Sequence, residues 1–150
     1  MLECVTFVLA DQKYAIDIMR IREVREVEKL RDVPGAGMGF SGVIEIRKKV
    51  IPVFDLRVLF DLPPQNRESD FAVIIVKFGD DRIGYLVDAV TDIEKIQQDA
   101  VLNAESYSNV AKTEFIQSVF SIEDNVTIVI DIDRVLSKHG TNSSGIGAAA

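Results

Sequence analysis

The amino-acid sequence predicts a mainly β protein built as two similar halves, each a small closed or partly closed barrel with brief helices at the strand ends. Three observations carry this. The apolar runs are short, rich in Val and Ile, and separated by polar turns, the pattern of pleated strands. No segment is long enough to serve as the crossover helix that a parallel sheet needs, and closure of antiparallel strands removes exposed sheet edges. The order of elements also repeats, with an aspartate at matching strand ends.

Cys4 to Leu9 and Tyr14 to Ile16, joined by the polar Ala10-Asp11-Gln12-Lys13, read as a hairpin. Asp17 leaves the second strand where a carboxylate can accept the free N–H groups of a helical turn, so Asp17 to Ile21 reads as a capped short helix. Val24 to Leu30 resumes strand alternation. Val33 to Gly42, with Pro34 and four glycines, reads as a loop. Val43 to Ile46 and Val50 to Phe54 form a second hairpin through Arg47-Lys48-Lys49, followed by Asp55 as cap and a helical Leu56 to Phe60. Pro63 to Ser69 is polar and proline-punctuated, a linker.

Beyond it the pattern returns: Phe71 to Phe78, the turn Gly79-Asp80-Asp81-Arg82, Ile83 to Val87, Asp88, and Ala89 to Ile96. Tyr14-Ala15-Ile16-Asp17 aligns with Tyr85-Leu86-Val87-Asp88 at an offset of 71 residues, and Val53-Phe54-Asp55-Leu56 with Val129-Ile130-Asp131-Ile132 at 76. The expected halves are residues 14–62 and 71–131, with exchange of the first and last strands between them, inside a single domain of residues 1–137. Gln97 to Lys112 is polar and expected outside the sheets. Phe115 to Ile122 and Thr127 to Ile130 form a last hairpin through Glu123-Asp124-Asn125, and residues 138–150 read as a frayed tail.

Composition narrows the function. With 150 residues, 47% of them hydrophobic, the chain can bury a substantial core. A formal net charge of −7 repels nucleic acid and anionic lipid alike. Apolar runs such as Val50 to Phe54 are far shorter than the roughly 20 residues that cross a bilayer, and Met1-Leu2-Glu3-Cys4 lacks the basic start of a secretory signal. A cytoplasmic protein without direct membrane insertion is expected. The lone cysteine, Cys4, excludes an internal disulfide and a multi-thiolate zinc site, and reads as a buried free thiol. His139, the single histidine, lies beyond the last apolar run, away from any triad geometry.

Gly35-Ala36-Gly37-Met38-Gly39 invites a phosphate-loop reading but is followed by a strand and by no Gly-Lys-Ser/Thr. Asp17, Asp55, Asp88 and Asp131 recur at strand ends, and a repeated helix cap worth about 1 kcal/mol each accounts for them. Neither catalysis nor a cofactor is expected. The charges from Arg20 to Arg31 read as a solvated strand face, with Val24 set between Glu23 and Arg25 as an apolar contact ringed by charges that select a partner. The stretch Gly42 to Arg57 is a hairpin carrying three adjacent cations at its tip, a pattern that a solubilising turn also explains.

Gly42-Val43-Ile44-Glu45-Ile46-Arg47-Lys48-Lys49-Val50-Ile51-Pro52-Val53-Phe54-Asp55-Leu56-Arg57 resembles the Gly-Val-x-x-Leu-Arg-Gly-x-x-Ile-Pro-Val-x-Asp-Leu-Arg-like stretch of the CheW family. Tyr14 to Ile18, Ile21 to Val24, Gly84 to Asp88 and Ile128 to Asp133 support the resemblance, which runs from residue 4 to about 137. It implies two SH3-like five-stranded barrels with short capping helices, and a non-catalytic adaptor coupling chemoreceptor cytoplasmic tips to the regulatory domain of the histidine kinase CheA. The same fold also suits a scaffold of a twitching or developmental pathway. A small-barrel oligonucleotide binder is the reading the charge and the lack of an aromatic ladder oppose. Carried over, Arg47 matches the motif arginine of receptor coupling, and Glu23, Val24 and Gly42 match partner-binding positions. Ile44 and Val50 mark an expected kinase-facing edge. Lys48 replaces the family glycine and changes both charge and turn flexibility beside Arg47.

Overall fold

Antiparallel strands with a two-residue connection need backbone at positive φ, and the chain supplies it at Ala10 (φ 49°) and Asp11 (φ 68°), which join β1 (Leu2–Leu9) to β2 (Gln12–Asp17). The computed structural model describes residues 2–27, 39–63, 71–97, 101–102, 113–122 and 125–137. The expected linker from Pro64 onward, the glycine cluster up to Met38, Glu28 to Leu30, the Glu123-Asp124 turn, His139 and the tail lie outside the described residues.

Asp17 caps a single 3-10 turn, Ile18–Arg20, by accepting from Met19 N at 3.0 Å. β3 (Ile21–Val27) follows. β4 (Phe40–Ile46) and β5 (Lys49–Asp55) form the second hairpin, and α1 (Leu56–Leu59) is capped by Asp55, whose carboxylate accepts from Arg57 N at 2.9 Å. The loop expected up to Gly42 ends earlier: Phe40 already pairs with Phe54, and the register slips between Phe40 and Gly42. Gly42 (φ 143°) takes up that irregularity, so the glycine marks a bulge within a strand.

β6 (Phe71–Phe78), β7 (Asp81–Val87) and β8 (Ala89–Ile96) come next. Asp88 therefore caps no helix, contrary to expectation, because the chain runs straight on as a strand. β8 pairs with β1 from Leu2↔Ile96 to Val8↔Ala89, with a slip at Thr6/Phe7 that leaves Thr91 as the extra residue. The Thr91 hydroxyl lies 2.7 Å from the buried Thr6 hydroxyl, so the slip satisfies a polar group inside the sheet. The polar loop after Gln97 also contributes to a sheet: β9 (Val101–Leu102) pairs with β10 (Ile116–Ile122). β11 (Asn125–Ile130) and α2 (Ile132–Val135), capped by Asp131, complete the chain.

The strands form two sheets, of order β8-β1-β2-β11-β10-β9 and β3-β6-β7-β5-β4. Apart from the two-residue β9 each has five strands, and the orders superimpose: β1-β2-β11-β10 in one corresponds to β6-β7-β5-β4 in the other, with β8 matching β3. In both, the central junction is parallel, β2 with β11 and β7 with β5. The expected duplication is thus written in the topology. The division at residues 62 and 71 is not how the sheets divide, however: β3 to β7 share one sheet, while β1 and β2 join β8 to β11. Each repeat's opening hairpin pairs with the later strands of the other repeat, an exchange larger than that of single terminal strands.

This exchange leaves the central strands buried on both faces, which is why Phe71-Ala72-Val73-Ile74-Ile75-Val76 reads as continuously apolar. Ala72, Ile74 and Val76 join a large core between the sheets with Phe7, Tyr14, Ile16, Tyr85, Ile128 and Ile130. Phe71, Val73 and Ile75 instead join an inner cluster with Ile46, Ile51, Val53 and Leu86. Cys4, Ala15, Ile96, Phe120 and Val129 fill the corresponding interior of the other sheet. Burying one such aliphatic side chain stabilises the fold by about 1.5 to 3 kcal/mol.

Candidate functional site: the hairpin tip and the edges of the five-stranded sheet

The β4–β5 hairpin turns in two residues, Arg47 (φ 52°) and Lys48 (φ 69°), between the paired Ile46 and Lys49. Cross-strand partners share a face. Ile44↔Ile51 therefore points one way and Glu45↔Val50 the other. Ile44 is half-buried and packs on the inner cluster, whereas Val50 is 60% exposed. The expected edge containing both resolves into two faces: Val50 is open to solvent, and Ile44 packs against the sheet's inner cluster.

Gly42 is buried at the bulge, and Arg47, Lys48 and Lys49 are exposed. Among the described residues none of these three cations has a carboxylate partner, while Lys13, Arg20, Arg25, Arg57 and Arg134 each do. Glu23 lies on β3 opposite Ile75, half-buried, and accepts from Arg25 Nε at 2.9 Å. Val24 packs against the large core, so less of it is available than the sequence suggests. β3 is one edge of the five-stranded sheet and β4 the other, with β6 and β7 lying between β3 and the β4–β5 hairpin. The ladder does not bring Glu23 and Val24 beside Arg47, Lys48 and Val50.

Two exposed apolar residues escaped the sequence reading. Met19 is 84% exposed in the 3-10 turn, and Ile93 is 55% exposed on the edge strand β8. The signal for Met19 was an apolar side chain inside a capped three-residue turn, too short to bury a face. For Ile93 it was strand alternation after Asp88.

The recurring aspartates do not converge on a reaction centre. Asp17, Asp55 and Asp131 direct their carboxylates to backbone N–H groups of the turns they cap, and Asp88 binds Arg57. Among the described residues no three His, Cys, Asp or Glu side chains stand together as a metal site. Cys4 is buried, and its thiol is pushed up to about 12, first by burial and then by the nearby carboxylates of Asp17 and Glu94. That keeps it a neutral packing group and not a nucleophile.

The CheW-like domain model matches residues 3–139. This chain belongs to the CheW-like family. It is 26% identical over 135 residues to the chemotaxis protein CheW of Klebsiella aerogenes, covering 90% of this chain and 81% of that one. It is likewise 26% identical to the chemotaxis protein CheW of Bacillus subtilis, with 93% and 90% covered. The solved scaffolding protein TtCheW of Thermoanaerobacter tengcongensis superimposes with a TM-score of 0.74 at 26% identity, over 87% of this chain and 84% of that one. The CheW-like chain accordingly stands among chemotaxis adaptor and scaffold proteins, the curated relatives being named chemotaxis proteins and the solved one a scaffolding protein. Among its described residues no helix is long and apolar enough to cross a membrane.

Proposed function

We propose that this CheW-like chain is the adaptor that couples chemoreceptor cytoplasmic tips to the regulatory domain of the histidine kinase CheA, and that these partners recruit it to membrane-bound arrays. The observation that carries the reading is the exchange of opening hairpins between the two sheets. A coupling protein must hold two partner surfaces at fixed relative geometry, so that a shift in one partner alters the preferred arrangement of the other through differential contacts. A core shared by both sheets supplies that rigidity, and it supports residues 1–137 acting as one unit. Arg47, Lys48 and Val50 on the hairpin, with Glu23 and the exposed part of Val24 on β3, are the proposed partner contacts. Gly42 and Ile44 act by shaping and seating the hairpin. Individually weak contacts suffice, because array valency multiplies them.

Calorimetric titration with the isolated CheA regulatory domain and, separately, with a receptor cytoplasmic fragment from the same organism tests this. Saturable binding of both, with Arg47→Glu and Val50→Asp each weakening one of them, is the expected result. Binding of neither partner would remove the coupling role.

A further inference from the structure

The inner faces of the two sheets are built from equivalent positions and differ in chemistry. At the offset of 76 residues Ile51 corresponds to Thr127, and at 71 Gly84 and Leu86 correspond to Lys13 and Ala15. Val73 faces Leu86 as Thr6 faces Ala15, so these two correspond as well. Two threonines and a lysine therefore line the six-stranded sheet (β8-β1-β2-β11-β10-β9) where the five-stranded one is apolar. Lys13 reaches over β1 to Glu94 on β8, its Nζ 3.0 Å from Oε1 and 2.8 Å from Oε2. Glu94 pairs with Cys4, which fills that same interior. The Thr6 hydroxyl is satisfied by Thr91 Oγ1 and Asp92 O. Thr127 is not: the residue is fully buried, and its hydroxyl meets no hydrogen-bond partner among the described residues. Glu94 Oε2 is enclosed too and receives no aligned hydrogen bond, despite the nearby Lys13. Buried polar atoms in folded proteins are almost always hydrogen-bonded, so two such atoms in one interior point to a ligand.

We infer that the interior of the six-stranded sheet is a hydration site, in which a water molecule accepts from the Thr127 hydroxyl and donates to Glu94 Oε2 beside Lys13. Thr127 neighbours Lys13 across the parallel β2–β11 ladder, which places its hydroxyl on the side of the sheet that the ion pair crosses. Ala15 in the place of Leu86 leaves room there. Water is the ligand whose chemistry fits, because it accepts from a hydroxyl and donates to a carboxylate at once, and a polar site with two or more partners is what an internal water requires. An anion would be repelled by Glu94 and a metal cation by Lys13, while an apolar molecule would leave both atoms unpartnered. One half of the duplication thus has a dry interior, with Ile51, Val53 and Leu86, and the other a wet one. The site is independent of the coupling role, since none of the proposed partner contacts lines it.

Thr127→Val removes the hydroxyl at nearly the same shape, and Thr127→Ser keeps it. A hydroxyl bonded to water stabilises the fold, so Thr127→Val should melt about 2 to 4 °C below the parent, the shift expected for one buried hydrogen bond in a chain of this size. A hydroxyl with no partner at all gives the opposite sign, because its removal relieves a desolvation cost. Thr127→Val melting at or above the parent therefore overturns the inference. A high-resolution crystal structure of the parent provides the second measurement and needs no variant to fold. Ordered density within hydrogen-bond distance of both Thr127 Oγ1 and Glu94 Oε2 is expected, retained in Thr127→Ser. An interior without such density, or a Thr127 hydroxyl turned onto a protein carbonyl, overturns the site. Density whose anomalous signal marks a metal or halide ion overturns water as its ligand.

Discussion

Arg57 grips Asp88 through two parallel contacts, Nε to Oδ1 at 2.7 Å and Nη2 to Oδ2, where the chain passes from β7 in one sheet to β8 in the other. Asp88 also accepts from Ala10 N at 3.0 Å, and Arg57 Nη1 donates to Pro63 O at 3.1 Å. One carboxylate thus ties the five-stranded sheet's helix to the β1–β2 turn of the other sheet. A different ion pair stands at the opposite junction: Asp133, 76 residues after Arg57, meets at 2.5 Å not Asp17, the equivalent of Asp88, but Arg20 in the turn that Asp17 caps. The two junctions are fastened unequally. Side chains of the first pair are 19% and 18% exposed, those of the second 41% and 67%.

Asp88→Ala should destabilise the fold by about 1 to 3 kcal/mol, since it leaves a largely enclosed guanidinium and the Ala10 N–H without their acceptor. The Asp88 hydrogen bond raises the Arg57 pKa against the opposing effect of burial, so the guanidinium cannot escape by losing its proton. Asp133→Ala should cost less than about 1 kcal/mol, as exposed pairs do. Urea unfolding of both variants checks this, and equal losses would remove the asymmetry between the junctions.

Stability should fall on the alkaline side. Burial raises the Cys4 thiol from 9.0 to about 12 and the Tyr14 phenol from 10.0 to about 12, and it raises Tyr85 as well. Above pH 9 the unfolded chain releases protons that the folded chain retains, so stability declines with rising pH, by up to about 1.4 kcal/mol per unit for each such group. The contribution is whole below pH 9 and is lost as pH climbs toward 12. Cys4→Ala should flatten the slope between pH 9 and 10, where Cys4 is the first to act. An unchanged slope would mean that Cys4 ionises in the folded protein.

Gly84 sits on β7 facing the inner cluster, where a Cβ would lie 2.7 Å from Val73 Cγ1 and 3.1 Å from Val53 Cγ2. Gly84→Ala should therefore cost about 1 to 3 kcal/mol through overpacking, even though alanine suits a strand better than glycine. Combining it with Val73→Ala should recover part of that loss in denaturant unfolding. Additive losses would place the strain elsewhere.

The strand pattern and the aspartate caps were legible because each depends on neighbours a few residues away. The equivalences of Asp17 with Asp88 and of Asp55 with Asp131 gave the duplication for the same reason. What the sequence could not show was which hairpin pairs with which, because β2–β11 and β7–β5 join residues far apart in the chain. Asp88 illustrates the limit. Its local context matches that of Asp17, but the side chain takes a partner 31 residues away and the backbone continues as β8. Ile44 and Val50 illustrate another: both are apolar residues of one hairpin, and only the register of β4 on β5 assigns them to opposite faces.

That assignment yields a sharp contrast between two matched substitutions. Ile44→Asp puts a carboxylate against the inner apolar cluster and should destabilise the fold by about 2 kcal/mol, through the cost of placing a charge on apolar surroundings. Val50→Asp alters an exposed side chain and should change stability by less than about 0.5 kcal/mol. Only Val50→Asp can therefore report on partner binding free of folding effects, and it should weaken binding at an unchanged melting temperature. Thermal unfolding of the two variants side by side decides the matter. If Ile44→Asp melts with the parent, the hairpin's inner face is open, and Ile44 returns as a direct partner contact.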